Sequence, residues 1–76
     1  MDANDTVDCR GMRCPRPIVE MAKRMRKMEA GQVLEILADD PVAKKDVPNW
    51  CGTTGNEFLE RRDEDRFFRF YVKKTA

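Results

Sequence analysis

The hydrophobic periodicity of this chain passes from strand-like to helical and back twice, then closes with two strand-like runs, an order that leaves few folds open. Thr6, Val7, Asp8 and Cys9 read as a short strand ending at Arg10-Gly11, and the polar stretch Met1 to Asp5 before it is expected to fray. From Ile18 to Met28 the apolar residues Ile18, Met21, Ala22, Met25 and Met28 recur at three- and four-residue steps, which makes an amphipathic helix stopped by a glycine cap at Ala30-Gly31. Gln32 to Ala38 reads as a central strand that is apolar on both faces and ends at Asp39-Asp40-Pro41, a turn whose two carboxylates are N-cap candidates for the segment that follows. A second helical segment carries Val47, Trp50, Cys51 and Thr54. Because Pro48 has no amide hydrogen, the expectation is a first turn near Ala43 and a fresh start at Asp46-Val47-Pro48 with Asp46 as cap, ended by Gly52 and Gly55. Asn56 to Arg62 and Arg66 to Lys74 then form an antiparallel hairpin around Asp63-Glu64-Asp65, with Phe68, Phe70 and Val72 on one face and Phe67, Arg69, Tyr71 and Lys73 on the other. The expected fold is α/β: a two-layer β-α-β-α-β-β sandwich whose four-stranded mixed sheet carries both helices on one face.

With 76 residues, 41% of them hydrophobic and 38% charged, there is material for a single domain with a thin core and little room for an enclosed substrate cavity. No apolar run approaches the roughly 20 residues that span a bilayer, so no membrane role is expected. Three cysteines cannot form a closed disulfide framework, and the N-terminus lacks the apolar run of a secretory signal, which together point to a reducing cytoplasm. A net charge of only +1 argues against a protein held mainly by phosphate contacts, and no direct nucleic-acid partner is expected. Between Arg10 and Lys27, however, seven basic residues stand against Glu20 alone, either as a solvated helix face or as a docking surface in which Lys23 and Arg24 lead.

The chemistry is bounded by an absence. There is no histidine, hence no Cys-His nucleophile pair and no imidazole base or zinc ligand. Thiol chemistry needs neither, because a thiolate attacks a persulfide sulfur directly. Cys14 is the best placed of the three cysteines: Gly11 permits a turn, and Cys14-Pro15-Arg16-Pro17 leads from it into the first helix, with Pro15 or Pro17 as the first regular residue. The positive end of that helix, with Arg13 and Arg16 beside the sulfur, is expected to lower the thiol's pKa and to hold an anionic sulfur substrate. The alternative is a small residue that only starts a helix. Cys9 and Cys51 read as core, or as a resolving thiol that would make the domain a redox element.

The run Val7-Asp8-Cys9-Arg10-Gly11-Met12-Arg13-Cys14-Pro15-Arg16-Pro17 resembles the signature of the TusA/SirA-like sulfur-carrier family, which includes the YedF and YeeD types. Asp39-Asp40-Pro41, Asp46-Val47-Pro48, Trp50-Cys51 and Gly55 follow that family's second half in order and spacing. The resemblance implies a sandwich like the C-terminal domain of translation initiation factor three, with Cys14 as the carrier of persulfide sulfur and Gly11, Pro15 and Pro17 as the structural members of its motif. It also implies partners: a sulfur donor of the cysteine desulfurase or rhodanese type, and an acceptor in tRNA thiolation, molybdenum-cofactor assembly or sulfur oxidation. Many members carry histidine after the glycine where this chain has Asn56, so no role of that imidazole transfers. The chain is then a monomeric sulfurtransferase component rather than an enzyme with its own small-molecule substrate, and it needs no cofactor. The competing readings are an RNA-binding module on the basic 10–27 segment, a redox regulator built on a Cys14 disulfide, and a metal site from Cys9, Cys14 and Cys51, which lacks a fourth ligand.

Overall fold

The structure, a computed structural model, describes residues 2–75. Six elements follow in the expected order: β1 (Asp5–Cys9), α1 (Arg16–Arg26), β2 (Val33–Ala38), α2 (Ala43–Thr54), β3 (Glu57–Asp63) and β4 (Phe68–Lys73). The strands form one sheet in the order β1-β2-β4-β3. β1 runs parallel to β2 with Val7 opposite Ile36, whereas β4 is antiparallel to both β2 and β3. β2 and β3 are therefore parallel, separated by the strand that β4 inserts between them. Both β-α-β crossovers step in the same direction across the sheet, and crossovers of one hand stepping one way place their helices on the same face.

Between that face and the helices lies the core. Val7 and Cys9 of β1, Leu34, Ile36 and Ala38 of β2, and Phe70 and Val72 of β4 meet Met21 and Met25 of α1 and Ala43, Val47 and Cys51 of α2, all buried. The methionine stripe of α1 is thus packing, as its helical spacing indicated. The opposite face of the sheet is shielded by polar side chains. Glu35 accepts from Thr6 at 2.9 Å, from Arg69 at 2.8 Å and from the Tyr71 hydroxyl at 2.9 Å, which lets Tyr71 be buried on a face no helix covers.

Four local expectations are corrected. The N-terminal stretch does not fray at Asn4 and Asp5: the Asn4 amide donates to the Val33 carbonyl at 2.8 Å, Asp5 opens β1, and Arg24 holds the Asp5 carboxylate at 3.0 Å. Met1 lies outside the described residues. α1 begins at Arg16, between the two prolines proposed as its start, with Pro15 as N-cap and Pro17 in the first turn. At its other end α1 stops at a Lys27 cap, and Gly31 instead serves the turn Glu29–Gln32 that leads into β2. The second helix does not restart at Asp46. It is continuous through Pro48, because Ala43, Val47 and Cys51 lie one turn apart on a single buried face, and their packing offsets the lost backbone bond.

Candidate functional site

The parallel pairing of β1 and β2 builds the site. Cys9 stands opposite Ala38 at the ends of the two strands, so the segment leaving β1 and the segment leaving β2 emerge side by side. The first turns at Gly11, whose φ of 85° is open to glycine at little cost, and the Met12 amide closes that turn on the Cys9 carbonyl at 3.2 Å. The second supplies two adjacent carboxylates. Asp39 accepts the Gly11 N–H on both oxygens at 3.0 Å, and Asp40 accepts the Cys14 N–H at 2.9 Å. With its other oxygen Asp40 takes the Val42 N–H at 3.1 Å, so one carboxylate ties the Cys14 loop to the entry of α2. Asp40 is thus a brace between loops rather than a helix cap, and α2 is capped by no side chain, Val42 holding the N-cap position.

Cys14 lies directly before the N-cap Pro15, joined to it by a cis peptide bond, and is half-buried against the core edge. All three cysteines are free thiols. Cys9 is fully buried and Cys51 is 2% exposed, which leaves Cys14 as the thiol that solvent reaches. Arg13 and Arg16 flank it, both exposed, and the Arg16 amide donates to the Arg13 carbonyl at 2.9 Å. Among the described residues no three His, Cys, Asp or Glu side chains converge as a metal site.

The electrostatics of the sulfur run opposite to expectation. Burial, followed by the Asp46 and Asp40 carboxylates that face it, pushes the Cys14 thiol up to about 12, where the helix terminus and the arginines were expected to bring it down. A helix end offers about half a positive charge. Burial and the two carboxylates outweigh it here. Asp40 itself is held below the usual carboxylate range, first by the Cys14 and Val42 amides and further by the charge of Arg13, so it remains an anion beside the thiol. Burial also raises the thiols of Cys9 and Cys51, each to about 11.

The two residues singled out for docking differ in their surroundings. The Lys23 side chain is 63% exposed and pairs loosely with Glu20 at 3.7 Å. Arg24 is engaged: it bridges to Asp5 and donates to the Thr6 carbonyl at 3.0 Å, binding α1 to the edge strand β1. A cavity of about 260 Å³ opens between the C-terminal halves of the helices, lined by Met25, Arg26, Trp50, Thr54 and Lys74 among others. It lies a full helix length from Cys14, roughly 15 Å at 1.5 Å per residue, and takes no part in the site.

The carboxylates are what sequence reasoning missed. Asp39 and Asp40 read as a helix cap and turn and Asp46 as a cap, since nothing in local spacing ties them to Cys14, which is 26 residues from Asp40. The parallel register was the available signal, for it forces the two strand exits together.

Comparison with known proteins finds relatives over nearly the whole chain. Residues 5–74 match the family model described as sulfurtransferase TusA. The sulfur carrier protein TusA of Pseudomonas entomophila is 34% identical over 93% of this chain and 89% of its own length. A candidate sulfur carrier protein of Archaeoglobus fulgidus is 41% identical over 90% of this chain and 93% of its own. The crystal structure of a SirA-like protein from Desulfitobacterium hafniense superposes with a TM-score of 0.76 at 23% identity, covering 95% of this chain and 99% of that one, which bears out the two-layer fold. On the extent of the family match and the identity to its relatives, the chain belongs to the TusA family of sulfurtransferases.

Proposed function

We propose that this chain is a cytoplasmic sulfur-relay protein that takes up sulfur as a persulfide on Cys14 and passes it to a partner protein. One observation carries the reading: in a family of sulfur carriers, Cys14 is the cysteine open to solvent, at the turn between β1 and α1, while Cys9 and Cys51 are core. In loading, Cys14 Sγ bonds to the outer sulfur of the donor's persulfide and the donor's S–S bond breaks. The Cys14 proton ends on the donor's departing sulfur, with no net oxidation. A thiol that rests protonated starts such a reaction poorly, so the docked donor controls the step. That suits a monomeric co-substrate whose specificity lies in its partners.

Those partners are a donor of the cysteine desulfurase or rhodanese type and an acceptor in tRNA thiolation, molybdenum-cofactor assembly or sulfur oxidation. Arg13 and Arg16 border the sulfur and guide an anionic donor group toward it, and Gly11, Pro15 and Pro17 shape the loop. Lys23, and Arg24 where its ion pair with Asp5 leaves it accessible, form the docking face. Intact-mass measurement after incubation with a cysteine desulfurase and free cysteine tests the reading: the wild type gains sulfur and Cys14→Ser gains none. A Cys14→Ser protein that loads equally would end it. Lys23→Glu slows loading from the desulfurase and leaves loading from inorganic polysulfide unchanged; equal rates from both would refute the docking assignment.

A further inference from the structure

Far from Cys14, the cavity between the C-terminal halves of α1 and α2 combines an apolar wall with cations. The wall is made by Ala22 and Met25 of α1 and by the half-buried ring of Trp50 of α2, which packs against the edge of the core. The neutral polar groups beside it are committed to one another: the Thr54 hydroxyl donates to the Trp50 carbonyl at 2.8 Å and accepts from the Asn56 side-chain amide at 3.0 Å. The charged groups are Arg26 and Lys74. Lys74 donates to the Met25 carbonyl at 2.8 Å, which anchors its ammonium against α1 while leaving further hydrogens to donate. Arg26 is exposed, and among the described residues no carboxylate pairs with either cation and none lines the cavity. At about 260 Å³ the space falls just below the roughly 300 to 1,000 Å³ of drug-sized sites, which suits a single ring with one acidic group.

We propose that this cavity is a second binding site, separate from Cys14, for a small organic acid with a planar apolar body: the ring against Trp50 and Met25, the carboxylate shared between Arg26 and Lys74. The planar fork of an arginine matches a carboxylate with two parallel hydrogen bonds, and a lysine already held by a backbone carbonyl loses little freedom when an anion arrives. Contact of the ring with the indole supplies the apolar part, in the offset or tilted arrangement that aromatic pairs prefer. An inorganic anion would leave the apolar wall uncovered, and a neutral ring would leave both cations without a partner, so the site selects for the two features together. It asks nothing of the thiol and does not depend on the carrier reading.

The chain has one tryptophan, so its emission reports on this cavity directly. Benzoate, titrated into the unaltered protein at constant ionic strength, gives a saturable change in Trp50 emission in the millimolar range, as expected of so small a ligand. The neutral benzamide and the ringless acetate bind about threefold more weakly or less. Arg26→Gln weakens benzoate about three- to fivefold, the worth of one exposed ion pair, and leaves benzamide unaffected, whereas Arg26→Lys recovers part of the loss. Because Arg26 is exposed, neither substitution threatens the fold. Lys45→Gln, which removes an equal charge from an exposed position in the first turn of α2, leaves benzoate binding unchanged, as does Cys14→Ser. Added sodium chloride weakens benzoate and not benzamide. Quenching that grows linearly with benzoate without saturating, or equal binding of benzoate and benzamide, overturns the proposal. Either result leaves sulfur loading on Cys14, read by intact mass, as it was, so the failure of this site and the failure of the carrier reading are separate.

Discussion

At Cys14 two influences on a thiol oppose each other, and their magnitudes decide the outcome. The start of α1 presents about half a unit of positive charge, an effect that fades within one turn. Burial and the carboxylates of Asp46 and Asp40 act the other way and carry the thiol to about 12. The pH dependence follows directly. Between pH 7 and 9 nearly all of Cys14 is protonated, so its rate of alkylation by iodoacetamide should climb about tenfold per pH unit with no plateau, as expected well below a pKa. A plateau beginning near pH 7 would mean that the helix terminus wins after all. A thiol that rests protonated reacts slowly with oxidants and alkylating agents.

Among the elements, α2 carries the largest unmet cost. Pro48 sits six residues into a helix of twelve, where it removes one backbone bond and crowds the preceding turn. The helix persists because Ala43, Val47 and Cys51 bury a continuous stripe against the sheet. Replacing Pro48 with Ala should therefore stabilise the protein by about 1 to 3 kcal/mol, measured by urea unfolding, since alanine restores the amide and has the best helix propensity. A loss of stability would show that the half-buried proline ring supplies packing worth more than the missing bond. α1 is secured differently, by its methionines below and by the Arg24 bridge to Asp5 at its side, which leaves Lys23 as the more available cation on that face.

For the whole molecule, three thiols whose pKa values are raised by folding set a common alkaline limit. Each is protonated in the folded state up to about 11 or 12 and ionises near 9 once unfolded. A raised pKa contributes stability that is complete below 9 and disappears as the pH climbs through the folded value. The urea midpoint should hence fall between pH 9 and 12, and Cys51→Ser should fall less steeply across that range than the wild type; equal slopes would assign the loss to other groups. The same molecule shows how far its sequence could be read. The alternating runs of β1, β2 and β4 and the Ile18–Met28 periodicity specified six elements and their layers, because apolar spacing is a local property of the chain. The prominence of Cys14 was legible for a similar reason, since the turn at Gly11 and the two prolines lie within six residues of one another. Continuity of α2 through Pro48 was not legible, for it depends on what the far side of the helix packs against. Nor was the sign of the field at the sulfur: Asp40 and Asp46 reach Cys14 only after β1 and β2 pair in parallel with Cys9 opposite Ala38. Sequence alone therefore determined the elements, their order and the identity of the exposed thiol. Tertiary structure decided which charges that thiol meets, because electrostatic interaction depends on distance in space and not along the chain.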